Sequence, residues 1–269
     1  MHKQDTKDRY FVQSLAKGLT ALKTLAQAGR PLTLSEVAVE MGTNTTTATR
    51  LCHTLAKMDF IRRDAQKNYH LTPQVLALGY SLISGLDWRD VAEHYLRRLF
   101  EEVNETVNLA ILDGAEILYL IRIRRDKYLP FDIRIGTKLP VYCTGMGKAL
   151  MALGRSEIVE PILAKLEFRP LTPRTIIDLP GFKNNLAEVR QRGFALNDEE
   201  LSIGNRAVSV PVSDKNGFAA AAINIAVPTT RFTVSEMQDK LLPGLMRTAQ
   251  DIAKAWRQLD SVVPLGDFS

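Results

Sequence analysis

The amino-acid sequence predicts an α+β chain in two parts: a small helical unit closed by a short hairpin, and a larger unit in which an antiparallel sheet is flanked by helices. Three observations carry that expectation. Residues 32–71 read as two short capped helices, a tight turn and a basic hairpin. The formal charge is concentrated at one end: residues 1–72 hold eleven Lys and Arg against six Asp and Glu, while the remainder holds twenty-four of each. Beyond residue 100, two pairs of apolar, β-branched runs closed by turns alternate with amphipathic helical stretches.

In chain order, residues 1–10 form a charged leader. Ser14 to Ala28 is the first helix, with Leu15, Leu19, Leu22 and Leu25 on one stripe. Thr33 and Glu36 have the spacing of a capping box, in which each side chain satisfies a backbone N–H at a helix start. Val37, Ala38 and Met41 follow as the buried stripe of that helix. Gly42 permits the sharp turn after it, and Asn44 caps the next helix, Thr45 to Met58. At 100° per residue, Ala48, Leu51, Cys52 and Leu55 share one face of this helix, while Thr46, Thr49, Arg50, His53 and Lys57 share the opposite one. β-Branched threonines are mediocre helix formers, so Thr45, Thr46, Thr47 and Thr49 in the first turns add little to helix stability. Their hydroxyls suit contacts with bases and phosphates.

Phe60 to Arg63 and Tyr69 to Leu71 then form two strands around the turn Asp64 to Asn68. The whole is the pattern of a winged helix-turn-helix over residues 11–72, with double-stranded DNA as the expected partner. The residues expected at that interface are Thr33, Ser35, Thr45, Thr46, Thr47, Thr49, Arg50, His53, Arg62, Arg63 and Lys67, and the localised positive charge is what phosphate binding needs. A polar, well-capped helix start and a solvated edge hairpin are the plainer readings of the same residues.

Thr72 and Pro73 open a linker helix to about Ser84, ended by Gly85, so residues 73–86 join the units. The second unit, 87–260, begins with a helix from Asp87 to about Asn104. Val107 to Leu112 and Ile117 to Ile123 are expected as strands, with Ile133 to Ile135 and Leu139 to Tyr142 as short ones. Helices are expected over Gly147 to Leu153, Ser156 to Lys165 and Gly181 to Arg192. Val208 to Val212 and Phe218 to Val227 are strands around the turn Asp214 to Gly217, and a last amphipathic helix runs from Val234 to Leu259.

Composition excludes several classes. No apolar run approaches the roughly 20 residues of a membrane span and the polar start is no signal peptide, so a soluble, cytoplasmic chain is expected. Cys52 and Cys143 are read as plain buried thiols, with no disulfide framework, metal site or cofactor. Gly145 to Lys148 lacks the spacing of a phosphate loop. The four histidines, His2, His53, His70 and His94, lie far in sequence from Cys143 and from the acidic cluster Asp198, Glu199 and Glu200, which is read as a solvated turn. No enzyme is expected.

Leu32 to Leu55 (LTLSEVAVEMGTNTTTATRLCHTL), Leu139 to Ala149 (LPVYCTGMGKA) and Arg192 to Val212 (RGFALNDEELSIGNRAVSVPV) together resemble the IclR family of bacterial transcriptional regulators across nearly the whole chain. LPVYCTGMGKA, Thr172 to Thr175 and Leu241 to Asp251 are most similar to its branch controlling protocatechuate, 4-hydroxybenzoate and β-ketoadipate catabolism. The resemblance implies a homodimer, or a dimer of dimers, whose C-terminal domain binds a small organic acid effector and alters engagement of a DNA operator. It also implies pocket residues: Thr144, Gly145 and Met146 in the loop before the GKA helix, Tyr128, Phe131 and Leu139 from the preceding arm, and Asn197, Asn205 and Ala207 opposite. Asn197 stands where an acidic residue is common in the family, which would ease binding of a carboxylate.

Side-chain chemistry fits such a pocket. Tyr128, Phe131, Tyr142 and Met146 could sandwich a ring, and Arg134 and Arg206 could pair a carboxylate. Core packing for the aromatics and solvation for the arginines are the alternatives. Two other readings stay open: a regulator of another carboxylic acid pathway, and a DNA-binding assembly protein that senses nothing and has a fully packed second domain.

Overall fold

The computed structural model describes residues 10–78, 87–125 and 133–259. The chain separates into two compact units, residues 1–85 and 86–269. The expected linker helix is seen over 74–78, where the Thr72 hydroxyl accepts from the Gln74 N–H; the rest of it lies outside the described residues.

In the first unit, α1 (Gln13–Ala28), α2 (Leu34–Glu40) and α3 (Thr45–Lys57) pack around Ala21, Leu25, Leu32, Val37, Cys52 and Leu55. The capping box at Thr33 and Glu36 is present in both directions, and Asn44 caps α3 through the Thr47 N–H. β1 (Ile61–Arg63) pairs antiparallel with β2 (Tyr69–Leu71), and Leu32 adds a bridge to Tyr69 that hydropathy does not reveal. The expected leucine stripe of α1 is only half right. Leu25 is buried and Leu22 partly so, but Leu15 and Leu19 are exposed, because they border an open groove beside α3 that Leu51 and Met58 also line.

Glu36 is held at about 2, well below its usual 4.5, chiefly by the Arg30 guanidinium at 2.8 Å and then by the Thr33 N–H and hydroxyl. A carboxylate depressed in the folded state favours folding above its ordinary value, and that contribution disappears as pH falls from about 4.5 towards 2.

The second unit is a six-stranded antiparallel sheet of order β5-β4-β3-β8-β7-β6. It comprises β3 (Thr106–Asp113), β4 (Glu116–Ile123), β5 (Lys138–Pro140), β6 (Ala195–Asp198), β7 (Asn205–Ser213) and β8 (Ala219–Pro228). One face packs on α4 (Asp87–Val103) and on the C-terminal helical segment; the other is covered by α5 (Gly145–Leu153), α6 (Ser156–Lys165) and α7 (Leu179–Arg192). The first layer is pinned where the unit's first and last helices meet by Trp256, whose ring stands edge-on to Trp88 and whose indole N–H donates to the Trp88 carbonyl at 2.7 Å.

Several expectations need correction. Residues 133–135 form no strand, since Arg134 and Thr137 close a turn that leads into Gly136 at φ +88°. Val141 to Thr144 is a turn rather than the end of a strand, because the Thr144 hydroxyl binds back to the Pro140 carbonyl and caps the Gly147 N–H, starting α5 two residues earlier than expected. α7 likewise starts earlier, at Leu179, with Asp178 as its cap. β6 has no counterpart among the strands expected from hydropathy. The last helix is divided into α8 (Val234–Glu236), a π-helical turn (Met237–Leu241) and α9 (Leu242–Trp256). Pro243 in the first turn of α9 has no N–H for the preceding turn, and the wider turn accommodates that loss.

Gly147 is sterically obligatory. A Cβ there would penetrate the backbone of Val141 and the Thr144 hydroxyl. Gly147→Ala is expected to destabilise the chain by about 1–3 kcal/mol, read as a lower urea midpoint at unchanged slope. For Glu36→Gln, thermal melts of the full chain between pH 5 and 2 should show a weaker acid dependence than wild type.

Candidate functional site

Two sites emerge, one in each unit. On α3, Thr45, Thr46, Thr49, Arg50, His53 and Lys57 are exposed along one face while Ala48, Cys52 and Leu55 are buried opposite. The hairpin adds exposed Arg62, Arg63 and Lys67, and Ser35 and Thr33 are exposed at the start of α2. Thr47 is half-buried against α1, and the hydroxyls of Thr33 and Thr49 are already engaged, with Glu36 and with the Thr45 carbonyl. The hairpin is rigid. Its turn is closed by Asp64, which accepts from the Asn68 N–H and contacts His70 at 2.6 Å, and the Arg63 guanidinium lies 5.5 Å over the Tyr69 ring. The result is a row of cations and hydroxyls with no acidic side chain on the exposed face of α3, a surface suited to a polyanion.

In the second unit, a cavity lies between the N-terminus of α5 and the sheet. Of the residues expected there, Thr144, Gly145, Asn197, Asn205 and Ala207 line it. Arg134, Leu139, Tyr142 and Met146 do not. Arg134 is exposed in the turn before β5, and Leu139 packs partly buried on the helical layer. Met146 is buried in that layer, where Tyr142 stacks on Phe168 at 5.2 Å and donates its hydroxyl to the Arg169 carbonyl at 3.1 Å. Arg206 is paired with Asp198 and donates to the Phe232 carbonyl at 3.1 Å. Tyr128 and Phe131 lie outside the described residues.

The remaining lining comes from residues that hydropathy reading passes over: Asn108, Tyr119, Arg122, Ile133, Leu201, Asn224 and Ala226. A signal for two of them was present, since Asn108 and Asn224 are single polar residues inside otherwise apolar strands. Burial raises the Tyr119 phenol above its usual range, so it faces the cavity as a neutral hydroxyl. The cavity measures about 30 Å³, more than the roughly 10–15 Å³ that a single ordered water needs.

The wall of the cavity is tied together by Asn197 and Lys148. Asn197 donates to the Cys143 carbonyl and accepts from the Glu200 N–H at 3.1 Å, so both ends of its amide are used in joining the α5 loop to the turn after β6. Lys148 is 1% exposed; its ammonium binds Glu200 and the Leu196 carbonyl at 2.9 Å. Burial pushes the Lys148 ammonium down and the Glu200 carboxyl up, and each restrains the shift of the other. The acidic cluster is therefore no solvated turn. Glu200 pairs with Lys148, Asp198 with Arg174 and Arg206, and Glu199 with Arg174 at 3.5 Å. Cys143 is buried, and burial holds its thiol at about 12, inert as a nucleophile. Among the described residues no cluster of three metal-ligating side chains occurs, and no helix is long and apolar enough to cross a membrane.

Residues 14–65 match the IclR helix-turn-helix domain and residues 80–254 match the bacterial transcriptional regulator IclR C-terminal domain. The chain belongs to the IclR family of bacterial transcriptional regulators. It is a regulator rather than an enzyme. It is similar to the Pca regulon regulatory protein of Pseudomonas putida, 31% identical over 248 residues that span 92% of this chain and 85% of that one. The p-hydroxybenzoate hydroxylase transcriptional activator of Acinetobacter baylyi is 30% identical over 247 residues, 90% of this chain and 91% of its own. The fold is shared with an IclR homologue of Microbacterium hydrocarbonoxydans solved with 4-hydroxybenzoate, at TM-score 0.78 and 22% identity, covering 91% of this regulator and 99% of that chain.

Removing one partner of the buried pair should be costly. Glu200→Ala leaves a buried ammonium uncompensated and is expected to cost about 3–5 kcal/mol, whereas Lys148→Met combined with Glu200→Leu should recover most of that loss in the same denaturation assay.

Proposed function

We propose that this regulator binds its operator through the exposed face of α3 and the basic hairpin, and that it senses a small organic acid of aromatic catabolism, such as protocatechuate, 4-hydroxybenzoate or β-ketoadipate, in the cavity beneath α5. The DNA half rests above all on the exposed row Thr45, Thr46, Thr49, Arg50 and His53, flanked by Arg62, Arg63 and Lys67. Thr33, Ser35 and Thr47 stand at the edge of that surface; Ser35 serves as a phosphate contact, while Thr33 caps α2 and Thr47 is half-buried. As a dimer the regulator places two copies of α3 in successive major grooves of a pseudo-palindromic site in cytoplasmic DNA. The exposed apolar side chains Leu15 and Leu19 favour self-association.

The effector half is supported by the cavity lined by Thr144, Gly145, Asn197, Asn205 and Ala207, and by the similarity to regulators named for the pca regulon and for p-hydroxybenzoate hydroxylase. A cavity exists where a purely assembling protein would be fully packed. Its small size favours a second reading, an acid smaller than a ring, unless binding opens the wall.

Fluorescence anisotropy on DNA from the regulator's own upstream region, with each acid in turn, tests both halves. A salt-sensitive complex whose affinity one aromatic-pathway acid alters is the expected result. Binding without sequence preference would overturn the DNA assignment; an operator affinity altered only by an unrelated acid would overturn the effector class. Arg50→Ala should weaken operator binding about tenfold or more while leaving effector binding as in wild type.

A further inference from the structure

The basic hairpin carries one acidic residue, Asp64, among Arg62, Arg63 and Lys67. An acid in a surface suited to a polyanion costs affinity unless its charge is spent inside the protein. Both carboxylate oxygens of Asp64 are engaged within the hairpin. Oδ1 accepts from the Asn68 N–H at 2.8 Å, while Oδ2 contacts His70 Nε2 at 2.6 Å and accepts from Asn68 Nδ2 at 3.4 Å. The imidazole, ahead of the Asn68 N–H, holds the Asp64 carboxyl below its usual range. The main chain of Asp64 closes the same turn: its N–H donates to the Asn68 carbonyl at 2.9 Å, and its carbonyl accepts from the Lys67 N–H at 3.0 Å.

This web has a conformational consequence at the tip. Residues 65–67 lie between the paired positions Asp64 and Asn68, and a loop of that length usually ends on a left-handed glycine. Here the position is held by Lys67, at φ +68°. A lysine enters that region less readily than glycine or asparagine, so the turn gives up some stability to carry it. What it gains is an exposed ammonium at the tip. A backbone departure of this kind points to function at the position that bears it. The tip is tied down a second time through Arg63, whose Nε donates to the Lys67 carbonyl at 3.4 Å while its guanidinium lies over Tyr69, a member of the first unit's core.

We propose that Asp64 is a positioning residue of the DNA interface, holding Lys67 in a left-handed conformation from which its ammonium contacts a backbone phosphate. The inference rests on the reading of the hairpin as part of the DNA surface, and adds to that surface a residue of the wrong charge for direct contact. The sign of its effect is distinctive. An Asp64 that acted through charge alone would repel DNA, and its removal would strengthen binding; a positioning Asp64 makes its removal weaken binding. Asparagine keeps the oxygen that accepts from the Asn68 N–H and drops the charge, so it restores what alanine loses.

Fluorescence anisotropy of the full chain across a salt series, on its own upstream duplex and on an unrelated duplex of equal length, tests the proposal alongside thermal melts. The variants are Lys67→Gln, Lys67→Gly, Asp64→Ala and Asp64→Asn, with Arg50→Ala as the reference for α3. Lys67→Gln should weaken both duplexes by a similar factor, about tenfold, and lower the salt slope by about one per half-site. Lys67→Gly should lose as much affinity while melting higher than wild type, because it relieves the backbone. Asp64→Ala should weaken binding severalfold, and Asp64→Asn should bind at least as tightly as wild type. Asp64→Ala that binds as tightly as wild type, or an Asp64→Asn no tighter than Asp64→Ala, overturns the positioning role. Lys67→Gly that melts below wild type overturns the strained tip, whether or not the alanine variant folds. A Lys67→Gln loss confined to the upstream duplex overturns the phosphate in favour of a base. Lys67→Gln equal to wild type while Arg50→Ala is weakened overturns the contact at the tip and leaves α3 as the reading helix; binding that neither variant alters overturns the DNA surface itself.

Discussion

Lys148 sits in the first turns of α5 with its ammonium removed from water, and that single charge constrains the second unit more than any other group. A buried cation has to meet a counter-charge and spare acceptors within reach of its own side chain. Glu200 and the Leu196 carbonyl supply them from either end of the β6 turn. The requirement fixes the start of α5 relative to β6, and Asn197 makes the same connection from the sheet side through the Cys143 carbonyl. Gly145 and Gly147 then become unavoidable, because the loop held this close leaves no room for a Cβ against Ser209 or Val141. A cavity between helix and sheet persists because the helix is suspended by these ties while the sheet beneath it is lined with small residues, Ala207 and Ala226, and with the polar Asn108 and Asn224.

The larger elements were legible in the residues because their signals are local. Capping at Thr33 and Asn44, the period of α3 and the β-branched runs of β3, β4, β7 and β8 each depend on neighbours in sequence, and each of these elements forms close to where the residues place it. What escaped reading is non-local. β6 is four residues with two polar ones, and it is a strand only because β7 offers a free edge. Tyr142 and Met146 look like pocket residues in a loop motif, yet the cap at Thr144 turns them into the helical core.

Arg122 is the clearest case of a cavity-lining residue hidden by geometry. Strict alternation along β4 would put it on the face opposite Ile117 and Tyr119. The ladder shifts register between Leu109 and Ala110, so that Ala110 faces Tyr119 while Leu109 faces Ile121, with Leu120 as the extra residue. One extra residue exchanges the faces of everything beyond it. That shift turns Arg122 towards Asn108 and the cavity, and it sends Ile121 into the layer of Trp88 and Trp256. A bulge of this kind leaves no mark in the hydropathy of a strand whose residues are apolar on both faces.

The proposed effector site also bears on how a signal could leave it. A ligand shifts an equilibrium only by its differential affinity for two arrangements. A site already shaped to its effector would bind it and change little. The two walls of the cavity beneath α5 are held in different ways. The sheet side is a hydrogen-bonded ladder on three strands. The helix side is held by side-chain ties, among them the Lys148–Glu200 pair, the Asn197 amide and the Thr144 cap at the N-terminal end of α5 and the Arg190 guanidinium on the Ala152 carbonyl near its C-terminal end. The packing of α5 on Phe182, Leu186 and Val189 of α7 is the route by which any displacement of its N-terminal turn would pass to the outer helical layer.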